Sequence, residues 1–239
     1  ISYNMALDVT AYFRDIRDLA GTRSEEITLF GGSASYNRLE NSDFAYVRGL
    51  VLSLSMIETN GFSASLDYTF QIAKGSASDP QQARNAIAGG SLPEIQLTPL
   101  DWDQRNTVNM SLAYDRANWG ISGIGQFGSG LPYTPLSTED ISSLVLNSGK
   151  KPLTWNVDLK GYFTPRDGLR LFIRAENIFD RLNPYTVYDD SGVADFTRWE
   201  DIAKSQNTGE PINSISKWFL NETFYSNPRR IELGLSYVF

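Results

Sequence analysis

The chain has 239 residues, enough for one large β domain or two small ones, and carries a net charge of −7 at pH 7 with a sequence pI near 4.7. It has no cysteine and no histidine, which excludes disulfides, Fe–S clusters, Cys-based zinc sites, His-ligated metals and both Ser-His and Cys-His catalysis. The acidic balance argues against nucleic-acid binding through a basic groove. No run of eighteen apolar residues is present, so no helix is expected to cross a membrane; a barrel with alternating faces would leave the same mildly polar average.

The chain enters structure at once. Ile1 to Met5 has no basic, apolar or small-residue leader pattern, so the expectation is a cleaved signal or, preferably, the back part of a longer protein. Leu7, Val9, Ala11 and Phe13 alternate with Asp8, Thr10, Tyr12 and Arg14, which predicts a first strand of roughly 9–11 residues. The stretch from about Gly21 to Asp43, with Gly31-Gly32 and no sustained period, reads as a long loop. Leu50, Leu52, Leu54 and Met56 then alternate with small residues, and Thr59-Asn60-Gly61 signals a tight hairpin. Phe62, Ala64, Leu66, Tyr68, Phe70 and Ile72 carry the return strand, the clearest alternation in the sequence.

A second long connection runs from Gly75 to about Asn106. Ser78-Asp79-Pro80 ahead of Gln81 to Ala86, closed by Gly89-Gly90, has the cap, first-turn proline and terminal glycine of a short helix. Val108 to Tyr114 gives the next strand, Asp115 to Asn118 a short turn, and Trp119 to Phe127 a weaker strand. In that strand Gly123 and Gly125 share the apolar side and Ile124 falls on the polar one, which leaves its register open.

After a Gly, Pro and Ser-rich loop from Gly128 to Pro152, Leu153 to Phe163 and Leu169 to Ala175 form two strands joined by the turn at Pro165 to Gly168. The longest loop, Asp180 to about Pro228, includes a short helical stretch within Asp195 to Gln206. In the terminal strand Ile231, Leu233, Leu235, Tyr237 and Phe239 lie on one face, and Arg230, Glu232, Gly234 and Ser236 on the other. About eight strands result, with connections that alternate short and long. Sandwiches mix loop lengths at both ends, whereas outer-membrane barrels keep short turns on the periplasmic side and long loops outside.

Six stretches taken in order resemble the barrel of TonB-dependent outer-membrane receptors. They are Ala11 to Asp18, Tyr46 to Leu50, Thr98 to Asn106, Gly128 to Pro135, Asn177-Ile178-Phe179-Asp180-Arg181-Leu182-Asn183, and the terminal strand ending on Phe239. The resemblance implies an all-β, antiparallel transmembrane barrel. Residues 1–239 would be about eight C-terminal strands of a 22-stranded type, with the plug domain and earlier strands absent. It also implies an outer-membrane location in a Gram-negative bacterium, a parent that imports a scarce solute such as a metal chelate, vitamin or glycan with TonB energy, no catalytic role and no cofactor. The implied partners are outer-membrane lipid, the barrel-insertion machinery, a solute the sequence does not name, and the TonB complex through the missing N-terminal region.

The candidate site residues fall into three groups. Ile231, Leu233, Leu235, Tyr237 and Phe239 form a lipid-facing stripe that also resembles a C-terminal assembly signal. Tyr185, Tyr188, Phe196, Trp199 and Trp218, with Phe219, Phe224 and Tyr225, make the last loop aromatic enough to contact a sugar or planar chelate, or to pack the loop on itself. Asp67, Asp158, Lys160, Arg170, Arg174 and Glu176 face a wet lumen or a plug, and like-charged Arg170 and Arg174 suggest an anionic partner. Asp101-Trp102-Asp103-Gln104-Arg105 reads as an interfacial tryptophan with locally paired charges. The spacing of Asp189, Asp190, Asp195, Glu200 and Asp201 does not match a Ca²⁺ loop. The rival readings are a self-closed eight-stranded barrel with a structural or adhesion role, an outer-membrane hydrolase, and a soluble sandwich. Pairing of the first strand with the last would distinguish the first of these.

Overall fold

A computed structural model describes residues 4–22, 26–88, 97–136, 145–207 and 214–237. Eight long strands form one antiparallel sheet in sequence order: β1 (Met5–Gly21), β2 (Glu40–Thr59), β3 (Phe62–Gly75), β4 (Asn106–Asp115), β5 (Trp119–Gly128), β6 (Thr154–Arg166), β7 (Leu169–Glu176) and β8 (Arg230–Tyr237). Each strand pairs with its chain neighbour, so every connection is a hairpin. Among the described residues β1 pairs only with β2 and β8 only with β7, so the sheet is open and the self-closed arrangement is not adopted.

The two-residue period of a strand is kept in register across six strands. Leu7, Leu54, Leu66, Met110, Gly125 and Val157 align in one row. The next row is Asp8, Ser53, Asp67, Asn109, Gln126 and Asn156. One face is therefore apolar and the other polar over the whole sheet. The apolar face is not covered by a second sheet: Leu7, Val9, Leu233 and Leu235 are 52, 58, 79 and 63 % exposed. A soluble sandwich would have buried them.

Aromatic residues bound the apolar face at both ends. Trp155 packs edge-on to Phe179 at 5.4 Å with the Arg181 guanidinium 5.2 Å over its ring, and Phe13 stacks on Tyr46 at 6.5 Å. At the opposite end Tyr114 meets Trp119 at 5.5 Å, Arg116 lies 5.0 Å over Tyr114, and Arg166 lies 5.9 Å over Tyr237. Trp155 and Phe163 on β6 are eight residues apart, about 26 Å along a strand, or about 20 Å in height at a tilt of about 40°. That matches the order of the ~25 Å apolar band of a membrane barrel.

The three turns at the Tyr114–Trp119 end are tight. Asn60 and Gly61 both have positive φ (55° and 86°), the backbone that a two-residue hairpin of matching twist requires. At the other end the connections are long. β1 and β2 run 17 and 20 residues, well past the expected membrane-spanning length, so the second strand begins at Glu40 rather than near Gly49. The expected loop between them also holds a small hairpin, Ile27–Leu29 with Ala34–Tyr36. In this extension the polar face gives way to small apolar residues: Ala45, Val47 and Ala73 pack under Leu100, with Tyr12 and Ile16 beside them. Leu100 is brought there because its N–H donates to the Ala73 carbonyl, and Thr98–Pro99 pairs with Lys74 and Gly75.

The expected short helix forms as α1 (Gln82–Ala88); the Asp79 carboxylate accepts from the Gln81 N–H at 2.8 Å. The glycines expected to close it, Gly89 and Gly90, lie outside the described residues. The open register of β5 is settled by its neighbours. The side chains of Met110 and Leu159 cover Gly125 and Gly123 on the apolar face, and Ile124 sits between Ser111 and Asp158 on the polar one.

Glycines on the polar face receive aromatic rings laid flat from the next strand: Tyr12 over Gly49, Tyr162 over Gly120 and Phe172 over Gly234, each a directly opposed pair. A β-carbon at Gly234 would overlap the Phe172 ring. Gly234→Val in the intact barrel is expected to lower stability by about 1–3 kcal/mol, read as a shift in the urea midpoint of refolding into vesicles. Adding Phe172→Ala should recover much of the loss. An unchanged midpoint would refute the ring-over-glycine packing.

Candidate functional site

The polar face and the long-loop end together form the candidate site. Asp67 accepts from the Ser53 hydroxyl at 2.6 Å and stays exposed. Asp158 is engaged structurally: Oδ1 accepts from Asn156 Nδ2 (2.7 Å) and from the Asn177 N–H (2.8 Å). Arg170 lies 4.5 Å over the Tyr162 ring, and the Tyr162 hydroxyl donates to Asp115 at 2.8 Å. Arg174 reaches Glu232 on the neighbouring strand at 3.4 Å, and Glu232 also pairs with Arg230. The expected anionic partner of Arg174 is thus supplied by the wall, because strand register sets Glu232 directly opposite. Lys160 is exposed and Glu176 half-buried on the same face.

The densest polar knot is one the sequence reading did not single out as a site. Asn177 and Asp180 adopt positive φ (50° and 55°), so the chain after β7 makes a compact turn. Asn177 Nδ2 donates to the carbonyls of Arg181 (2.9 Å) and Asn227 (3.1 Å), and its Oδ1 accepts from the Arg181 N–H (3.0 Å). Buried Asn183 accepts from the Trp155 N–H (3.0 Å) and donates to the Trp155 carbonyl (2.8 Å), in effect extending β6. Asp180 accepts from the Arg229 N–H at 2.8 Å, and Ser226 exchanges hydrogen bonds with Asn183. Residues 177–183 therefore clamp the start and end of the longest loop onto β6. In the sequence this stretch stands out as one of the six that resemble receptor barrels and as rich in Asn and Asp, which tolerate left-handed backbone. The clamp floors a cleft lined by Gln126, Asn156, Glu176, Tyr185 and Arg230.

The aromatic loop divides in two. Tyr188 packs on Phe224 at 5.0 Å and donates to the Phe219 carbonyl. Burial, then the nearby Glu200 and Asp190 carboxylates, raise its pKa above the ordinary phenol value. Tyr185, Phe196, Trp199 and Trp218 are exposed at 61, 40, 56 and 86 %, with Trp199 on α2 (Arg198–Gln206) and Trp218 on α3 (Ile215–Phe219).

The acidic residues of this loop hold structure. Asp190 accepts from the Thr197 hydroxyl (2.9 Å) and the Arg198 N–H (2.7 Å), capping α2. Glu200 pairs with Lys204 at 2.6 Å, and hydrogen bonds from Lys204 and from Ser216 on α3 hold its carboxyl below the ordinary value. Near β3, Asp103 is buried, accepting from the Ala73 N–H at 2.7 Å and pairing with Arg105 at 2.8 Å, while Trp102 stays exposed. The local charge pairing expected in this stretch is present between Asp103 and Arg105.

The sequence matches the family described as TonB dependent receptor-like, beta-barrel, over residues 2–178. The chain belongs to this family. It is similar to the outer membrane transporter YddB from Escherichia coli (TM-score 0.63, 12 % identity, covering 99 % of this chain and 31 % of that one). It is also similar to the pyoverdine outer membrane receptor FpvA from Pseudomonas aeruginosa PAO1 bound to pyoverdine (0.58, 12 %, 99 % and 27 %). A third similar structure is the FpvAI–pyocin S2 complex (0.57, 12 %, 99 % and 26 %). At these identities the likeness is one of fold. The chain spans between about a quarter and a third of the length of these proteins, so it is part of a receptor barrel. No curated protein matches it significantly. The family is one of outer-membrane transporters and receptors.

In this family's barrel the apolar face meets lipid and the polar face the lumen. Ile231, Leu233, Leu235 and Tyr237 all lie exposed on the apolar face of strand β8. Phe239 lies outside the described residues.

Asn177→Ala removes three hydrogen bonds and places alanine in left-handed backbone; about 1–3 kcal/mol of local stability should be lost. In the intact receptor the expected result is protease cleavage between residues 180 and 228 with the membrane strands still protected. The depressed Glu200 pKa means its contribution is present at neutral pH and lost as pH falls below the ordinary 4.5 through the depressed value. Hydrogen exchange in α2 and α3 should therefore quicken on acidification, and Glu200→Gln should be fast already at pH 7.

Proposed function

We propose that residues 1–239 are the C-terminal wall and extracellular loops of an outer-membrane receptor that binds a scarce solute, such as a metal chelate, vitamin or glycan, and imports it with TonB energy. The observation that carries this reading is the junction of a two-faced membrane sheet with loops of strictly unequal length. Three tight turns close one end, while the other carries a long, clamped, aromatic loop with four exposed rings. The wall separates lipid from a wet passage, and the loops supply the recognition surface. Tyr185, Trp199, Phe196 and Trp218 are the proposed solute contacts. Asp67, Lys160 and Glu176 are proposed to meet the solute path or a plug, and the β8 stripe to be read by the insertion machinery. In the parent the open edges of β1 and β8 pair with further strands, since lipid cannot satisfy their backbone groups. The chain does no chemistry in this reading.

The bridge between Pro184 and Tyr225 brings the ends of the aromatic loop together, so residues 186–223 can be replaced by a short Gly-Ser linker without straining the wall. The parent so altered is expected to reach the outer membrane at the normal level yet lose uptake-dependent growth on its solute, screened across chelated iron, corrinoid and oligosaccharide sources. The unaltered parent should lose the same growth when TonB is absent. Growth unaffected by either change would overturn the reading.

A further inference from the structure

On the lipid side, two cations sit just above the apolar band at the long-loop end. Arg48 lies on β2 directly opposite Phe13 on one side and Ile72 on the other, and Lys74 on β3 is opposite Tyr46. All belong to the even positions of β2 and β3 whose lower members are Leu50, Leu52, Leu54, Phe70 and Leu66, so both charges leave the sheet on its lipid face. Strand register makes Arg48 and Lys74 diagonal neighbours, about 7–8 Å apart at the backbone. Their level is fixed by the turn below: Arg48 is eleven residues from Thr59 where β2 ends, about the length of a tilted membrane-crossing strand.

Among the described residues no carboxylate is in ion-pair contact with Arg48 or Lys74. The acid on the same face, Asp15, is taken by Arg17 at 2.8 Å. In a chain of net charge −7, this leaves a local surplus of two positive charges at the level of lipid headgroups. Aromatic rings flank it: Phe13, 67 % exposed, stacked on Tyr46, with Phe44 edge-on to Tyr46 at 5.8 Å. Rings at this height favour the boundary between acyl chains and headgroups. Bare cations there attract anionic headgroups.

We infer that Arg48 and Lys74 form a binding site for the phosphate groups of an outer-leaflet lipid, with Phe13 and Tyr46 packing the adjoining part of that lipid. The inference rests on the reading of the apolar face as the membrane face. The Arg48 guanidinium offers paired donors to phosphate oxygens, and Lys74 supplies a second point charge. Both long side chains can snorkel to the headgroup plane while their stems cover lipid.

The test uses the intact receptor reconstituted in phosphatidylcholine nanodiscs containing traces of diphosphorylated lipid A, with dephosphorylated lipid A as the control, and native mass spectrometry to count retained lipid. Wild type should retain the diphosphorylated form preferentially and release it as salt is raised. Arg48→Gln with Lys74→Gln should weaken retention about thirty-fold, about fivefold for each cation, while insertion and heat-modifiability stay normal. Equal retention of both lipids, equal retention by the double variant, or displacement by millimolar inorganic phosphate alone would overturn the site. Failure of wild type to insert into neutral lipid would instead overturn the membrane-face reading on which it rests.

Discussion

The interaction on which the rest depends is the backbone ladder. A segment that crosses hydrocarbon has no water to satisfy its N–H and C=O groups, so each strand must take them from its neighbours. That requirement forces the sheet to run in sequence order through hairpins. With a period of two, it also forces each side chain to choose between lipid and lumen. The aligned rows Leu7 to Val157 and Asp8 to Asn156 are the visible result. A slip of one residue would exchange the polar and apolar rows of a strand, so register is fixed by solvation on both sides at once.

The long-loop end obeys a different constraint. Above the band, backbone groups can meet water, and the strands are free to give way to loops. There the polar side chains take over the satisfying of backbone groups. Asn183 acts as a surrogate peptide unit at the top of β6, Asn177 does so for Arg181 and Asn227 just after β7, Asp103 accepts from Ala73, and Asn147 donates both to the Pro99 carbonyl and to Asp101. These contacts anchor the three later long loops close to the rim. A loop held at its base and exposed at its tip suits recognition, since its exposed rings need not also hold the fold together.

The polar face shows how a lumen wall differs from a simple wet surface. Several of its charged groups are already committed: Asp158 to the clamp, Arg174 to Glu232, Arg170 to the Tyr162 ring. Such internal pairing holds the wall's side chains in defined places. Lys160 and Glu176 stand outside these pairings, and Asp67 only accepts from the Ser53 hydroxyl on the neighbouring strand.

Several features were determined by the sequence alone. Alternation predicted the eight strands and the faces of all but β5, and Asn60-Gly61 predicted a turn that only positive φ allows. The absence of Cys and His removed whole classes of chemistry. These are local properties, written in neighbouring residues. What only the tertiary structure decided is non-local. β1 and β2 continue far beyond the membrane because a loop residue, Leu100, arrives to cover Ala45 and Ala73. The gaps left by Gly123 and Gly125 on β5 are covered by Leu159 and Met110 from adjacent strands. Arg174 meets Glu232, 58 residues away, and Asn177 ties down Asn227. Such pairs are set by register and loop closure, which bring distant residues together, and no local pattern records which of them will meet.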